Sequence, residues 1–153
     1  MNKYKKIIII TFLLILNNCG YNPIYTNSSI EDIKIVISEL KGDKEFSNKI
    51  YQELKPYLNS NSEKEYKLII NTSFTKIILT KDSTGEPSNF DMTAKVTIEV
   101  NNETVQDTLS FTENLKIKNN DNSFEQKEYE DMVKNDFAKS IKEKLITKLK
   151  ILE

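Results

Sequence analysis

The chain has 153 residues, of which 29% are charged and 38% hydrophobic, and a formal net charge of −1. That length suits one domain, two at most, and the balance is that of a globular chain, neither disordered nor a polytopic membrane protein. It has no His, Trp or Arg and a single Cys, so a His-based triad, a His-ligated zinc site and a Cys-rich metal cluster are excluded.

Lys3, Lys5 and Lys6 precede an apolar run from Ile7 to Leu16 that is broken only by Thr11. A cationic start followed by an apolar stretch of this length is an export signal, too short to cross a bilayer. The sole Cys follows directly, in Asn17-Asn18-Cys19-Gly20. This is the position of the modified Cys of a bacterial lipoprotein. Residues 1–18 therefore read as a lipoprotein signal peptide, cleaved between Asn18 and Cys19, with N-acyl and S-diacylglycerol groups on Cys19. Asn18 departs from the small residue usual before that Cys. The alternative is a free, buried Cys after an ordinary signal. Cleavage removes three Lys and no acid, which leaves a mildly acidic chain and argues against a nucleic-acid partner.

Residues 19–29 are rich in Gly, Pro, Asn and Ser and predict a lipidated tether, leaving 30–153 as the folded domain. Ile33, Ile35 and Ile37 alternate with their neighbours and predict a strand over 31–39. Lys41-Gly42-Asp43 reads as a turn, with Asp43 as a helix cap. Phe46, Ile50, Leu54 and Leu58 recur every four residues and predict a helix over 44–58, with Pro56 in its last turn. Tyr66, Leu68, Ile70, Thr72 and Phe74 alternate, but Ile77 and Leu79 fall on the other parity. One long strand over 65–80 with a bulge near Thr75-Lys76 accommodates both.

A polar hairpin loop over 81–89 leads to the cleanest alternation in the chain, Phe90 to Val100. Asn101-Asn102 predicts a tight turn using a positive φ, and 104–117 a further strand. Ser123-Phe124-Glu125-Gln126 reads as a capping box opening a helix over 124–151. Its apolar side would run through Tyr129, Met132, Val133, Phe137, Ile141, Leu145, Ile146, Leu149 and Leu152. Acids crowd its first half and Lys its second, which complements the helix dipole.

The order β-α-β-β-β-α predicts an α/β (α+β) two-layer sandwich, a four-stranded, mostly antiparallel sheet covered by two helices. Chemistry is sparse. Glu128, Glu130 and Asp131 lie where acids favour a helix start. No Ser-Lys spacing stands out, and Asp82-Ser83-Thr84-Gly85-Glu86 has neither EF-hand nor P-loop spacing. No catalysis, metal or dissociable cofactor is expected. Lys76, Lys81 and Lys95 would form a small basic spot on the wet face of the sheet if in register, or are ordinary solvated Lys.

Cys19-Gly20-Tyr21-Asn22-Pro23-Ile24-Tyr25 resembles the Cys-Gly-aromatic-x-Pro-aliphatic-Tyr opening of the LPS-assembly lipoproteins of the LptE family, and the element order is similar across the rest of the chain. The resemblance implies a lipoprotein of the Gram-negative outer membrane, anchored at its periplasmic face. It implies a plug in the lumen of the LptD β-barrel that assists barrel assembly and lipopolysaccharide insertion, without covalent catalysis. Gly20 after the Cys fits sorting to the outer membrane. Lipopolysaccharide binding would fall to Lys76, Lys81 and Lys95, since family members often use Arg and this chain has none. The competing expectation is a free periplasmic lipoprotein that binds a ligand or assists an ABC transporter.

Overall fold

The computed structural model describes residues 33–152, so the export signal, Cys19, the tether and residues 30–32 lie outside the described residues. Strand β1 (Lys34–Gly42) is followed by helix α1 (Lys44–Leu58), strands β2 (Glu65–Lys81), β3 (Pro87–Asn101) and β4 (Gln106–Lys118), and helix α2 (Ser123–Leu149). The strands lie side by side in the order β1-β2-β3-β4. The crossover through α1 makes β1 parallel to β2, while β2-β3 and β3-β4 are antiparallel, so the sheet is mixed.

Both helices pack on one face, which is why β3 is buried at every second position from Phe90 to Val100. Tyr66, Leu68 and Ile70 of β2 supply the neighbouring row. Phe46, Ile50 and Leu54 of α1 and Ile141, Leu145 and Leu149 of α2 close over it and are almost wholly removed from water. Each such side chain contributes roughly 1.5–3 kcal/mol by burial. The Tyr66 hydroxyl, under this layer, donates to the Leu149 carbonyl at 3.0 Å and satisfies one acceptor at the end of α2.

The turn between β1 and α1 is the tightest joint in the fold. Gly42 has φ +98°, and a Cβ there would lie 1.8 Å from the Thr72 carbonyl oxygen. Asp43 then caps α1, its Oδ1 accepting from Phe46 N at 2.8 Å, as its position in the sequence predicts. Ser47 Oγ and Thr72 Oγ1 lie 2.7 Å apart, and both reach the Lys41 carbonyl at 3.2 Å. Thr72 Oγ1 also reaches the Asp43 carbonyl. The two hydroxyls share two protons among these acceptors, which fastens the joint to β2. Replacing Thr72 with Val keeps the volume but removes that cross-link. Urea unfolding is expected to show a loss of about 1–2 kcal/mol.

Five local expectations are corrected. The bulge is absent near Thr75-Lys76; β2 stays in register with β3 to Ile78 and shifts only at Ile78–Lys81. Ile77 and Leu79 are exposed: Ile77 pairs with Asp91 on the sheet face away from the helices, and Leu79 falls at the register shift. Asn101-Asn102 does not use a positive φ, since no described non-Gly residue has one. Instead Asn102 Oδ1 accepts from Thr104 N and Val105 N and holds a wider turn. The cap of α2 is Asn122, not Ser123; its side chain accepts from Phe124 N and Glu125 N, while Gln126 Oε1 accepts from Asn120 N. Lastly, Tyr129 and Met132 lie on the outer side of α2, and Gln126 and Ala138 are buried. The first strand also starts and ends later than predicted, running to Gly42 with a bulge between Ile37 and Glu39.

Candidate functional site

Lys76, Lys81 and Lys95 do not converge. Lys76 pairs with Met92, whose side chain is core, so Lys76 projects to the helix side of the sheet. There its Nζ forms an ion pair with Glu130 of α2 and sits 3.8 Å from the centre of the Phe90 ring. Lys95 lies between Ser73 and Thr112 on the opposite face. Lys81 is opposite Pro87 at the end of the hairpin. The wet-face basic spot expected from the sequence is therefore not formed, because Lys76 has the parity of Leu68 and Ile70.

Glu130 accepts from both Lys76 Nζ and Gln126 Nε2. Burial alone would raise its carboxyl pKa. The hydrogen bonds from Lys76 and Gln126, with the charges of Lys76 and Lys134, outweigh burial and hold it below the ordinary value. A depressed folded-state pKa gives stability that is present above the ordinary carboxylate range and is lost as pH falls through the folded value. Glu130→Gln is therefore expected to cost about 1 kcal/mol at pH 7, since the pair is partly exposed. Its deficit should shrink as urea unfolding is repeated down to pH 3.

Other ion pairs of α2 serve the same tying role. Asp131 bonds Lys49 of α1 at 2.6 Å, and Lys134 bonds Glu45 at 2.7 Å. Lys144 and Ser140 both donate to Glu113 of β4. These acids hold helix to helix and helix to sheet, and are dispersed instead of gathered. Among the described residues, no group of three His, Cys, Asp or Glu side chains is placed to hold a metal ion. A groove of about 850 Å³ opens beside the start of α1, lined by Leu40, Lys44, Lys49, Tyr51 and Asp131.

On the sheet face away from the helices, which no described element covers, Asn71, Ser73, Lys95 and Thr97 are exposed. Thr93 and Thr97 of β3 stand beside Asn114 and Ser110 of β4, and Lys95 beside Thr112. Asn71, Ser73 and Thr75 of β2 extend the rows on the other side, opposite Thr97, Lys95 and Thr93. Asn114 Nδ2 donates to Thr93 Oγ1 at 2.7 Å and also to Asp91. The hydroxyl- and amide-bearing residues thus lie on one face, which carries no aromatic side chain among the described residues. Such a face can hydrogen-bond a polar wall or water but offers no ring for stacking. No described helix is long and apolar enough to cross a membrane.

No family model and no curated protein matches the chain. Solved structures do. Rare lipoprotein B from Shewanella oneidensis superposes with a TM-score of 0.59 at 10% identity, covering 77% of this chain and 92% of its own. A Caulobacter crescentus protein described as a lipoprotein superposes with a TM-score of 0.53 at 14% identity, covering 80% and 90%. The class is thus a two-layer α+β sandwich, a four-stranded mixed sheet with two helices. More narrowly, the chain has the LptE-like fold that the sequence resemblance implies.

Proposed function

We propose that the chain is a lipid-anchored protein of the Gram-negative outer membrane, held at the periplasmic face through acylated Cys19, and that it plugs and helps assemble an LptD-type β-barrel for lipopolysaccharide insertion. The observation that carries this reading is a conjunction. The LptE-like fold, shared with structures described as lipoproteins, belongs to a chain whose only Cys directly follows an export signal. The open sheet face suits the role. Its rows of Thr, Ser and Asn can exchange water for the polar groups of a water-lined barrel wall at little cost. An apolar face would instead demand an apolar partner.

No covalent step belongs to this role. The chain works by filling space, hydrogen bonding and, toward lipopolysaccharide, by Lys charges that meet phosphate as point charges. Lys81 and Lys95 are exposed for such contact, whereas Lys76 is engaged with Glu130.

The test is extraction from the native outer membrane in mild detergent, followed by mass spectrometry of what co-purifies. A large β-barrel in a one-to-one ratio that survives high salt is the expected result. An acylated chain that emerges without a barrel would overturn the plug role and favour a free periplasmic ligand-binding module or ABC-transporter auxiliary.

A further inference from the structure

The first half of α2 carries large apolar side chains on the side turned away from the core. Phe124, Tyr129 and Met132 are 67%, 44% and 57% exposed, while Gln126, Val133 and Phe137 of the same stretch are buried. Phe124, Glu128, Met132 and Asp136 follow one another at four-residue steps and so form one row along the helix. Tyr129 stands beside that row, three residues from Met132. An open groove of about 680 Å³ runs along it, lined by Phe124, Lys127, Glu128, Asp131, Met132 and Asn135. Large apolar side chains this close together, beside a groove, are a patch and not scattered exposure.

The charges around the row differ from those that tie α2 to the rest of the domain. Glu130 is bound to Lys76 and Asp131 to Lys49. Glu128 and Asp136 are exposed and have no ion-pair or hydrogen-bond partner among the described residues. Glu125 accepts only from the Asn120 and Asn122 side chains, which leaves its charge uncompensated. Against these three acids stand Lys127 in the groove and Lys139 three residues past Asp136, so the balance is acidic. The patch also lies far from where the chain enters the domain. β1 begins opposite Glu65, and the neighbouring Tyr66 bonds the Leu149 carbonyl at the other end of α2. Met132 is about 25 Å of helix away from Leu149.

We infer that this face of α2, from Phe124 to Asp136, is a docking site for a cationic amphipathic segment of a partner protein. Its aliphatic side chains would rest on Phe124 and Met132, and its Lys or Arg side chains beside Glu128 and Asp136. Charge complementarity selects this occupant. Unpaired carboxylates beside the groove repel phosphate-bearing lipids and acidic peptides and attract cations. The exposed rings of Phe124 and Tyr129 add cation–π attraction. Met132 is flexible and polarizable, and accommodates aliphatic partners of varied shape. Apolar anchors in a groove flanked by charge are the means by which amphipathic helices are recognised. The inference does not depend on the barrel role.

The probe is a fluorescent Leu/Lys amphipathic helix with one photoreactive Leu, long enough to run from Phe124 to Asp136, about 18 Å at 1.5 Å per residue. It is titrated into the full chain in mild detergent and followed by anisotropy, with detergent alone as the blank. Expected are a Kd below about 100 µM, photocrosslinks that map to residues 124–136, and no binding of the Leu/Glu counterpart. Phe124→Ser with Met132→Ser, and Glu128→Lys with Asp136→Lys, should each weaken binding at least about tenfold. These side chains are exposed, so both double variants should unfold in urea as the parent does. Glu99→Lys with Glu103→Lys makes the same charge change at exposed positions elsewhere and should leave Kd within about twofold. A weaker Kd for the parent, crosslinks outside 124–136, an equal loss with the Glu99 and Glu103 pair, or equal binding of the Leu/Glu peptide overturns the inference. So does a chain that ignores the peptide and sediments as a dimer until Phe124 and Met132 are replaced, which would make a second copy the occupant.

Discussion

Replacing Gly42 with Val is expected to abolish cooperative folding, or to leave a chain destabilised by more than about 4 kcal/mol. Two independent costs add. The backbone at Gly42 has φ +98°, a region where a β-branched residue is strained by roughly 1–3 kcal/mol. The Cβ would also fall 1.8 Å from the Thr72 carbonyl oxygen and 2.7 Å from its carbon, so the obstacle is backbone and cannot rotate away. Relief requires β1 and β2 to separate at the point where Asp43 N donates to that same carbonyl and where Ser47 and Thr72 exchange hydrogen bonds. Gly42→Ala meets the same oxygen with a smaller side chain and should be nearly as damaging. Gly85 is the control. It also has a positive φ, but nothing lies within 4 Å of its Cβ position, so Gly85→Ala should cost only the backbone strain. Urea unfolding followed by circular dichroism separates the three variants. A Gly42→Val chain as stable as the parent would show that the β1–α1 joint is not built as described.

Those two glycines illustrate what was legible in the sequence. Both fall in segments read as turns, but only the fold brings Thr72 against Gly42, thirty residues away in the chain. The alternation from Phe90 to Val100 was unambiguous because β3 is central, with one face under the helices along its whole length. Element order and the α1 limits followed from periodicity and the Asp43 cap in the same way. Periodicity reports apolarity, however, and not whether a second layer covers it. Ile77 and Leu79 are apolar yet exposed, so reading them as core required a phase change that the strand does not make. That misplaced bulge is what moved Lys76 to the wet face beside Lys95. Without it, the parity of Leu68, Ile70 and Thr72 would have put Lys76 on the helix side, where Glu130 meets it. Tyr129 and Met132 went astray for the same reason, since the first half of α2 carries apolar residues on its outer side. The parallel pairing of β1 with β2 has no signature in a period of two.

The largest functional effect is expected from Cys19→Ser. The acylated chain should remain in the membrane fraction, while the variant should appear in the soluble fraction or retain its uncleaved signal. The energy scale decides this. Each buried methylene of an acyl chain contributes about 0.8 kcal/mol, and a single chain binds only reversibly, whereas several together anchor stably. The folded domain offers little to compensate, because its described helices include none able to cross a membrane and its open sheet face is mainly polar. Metabolic labelling with a fatty acid, followed by fractionation, reads both anchoring and modification. Asn18→Ala restores a small residue before Cys19 and should speed appearance of the mature form without changing its location. An unlabelled Cys19 chain that still sediments with membranes would overturn the lipid anchor. If the parent chain is labelled and co-purifies with a barrel but the Cys19→Ser variant does so equally, the anchor would be shown to be dispensable for forming the complex. The plug role would then rest on the hydrogen-bonding face of the sheet alone.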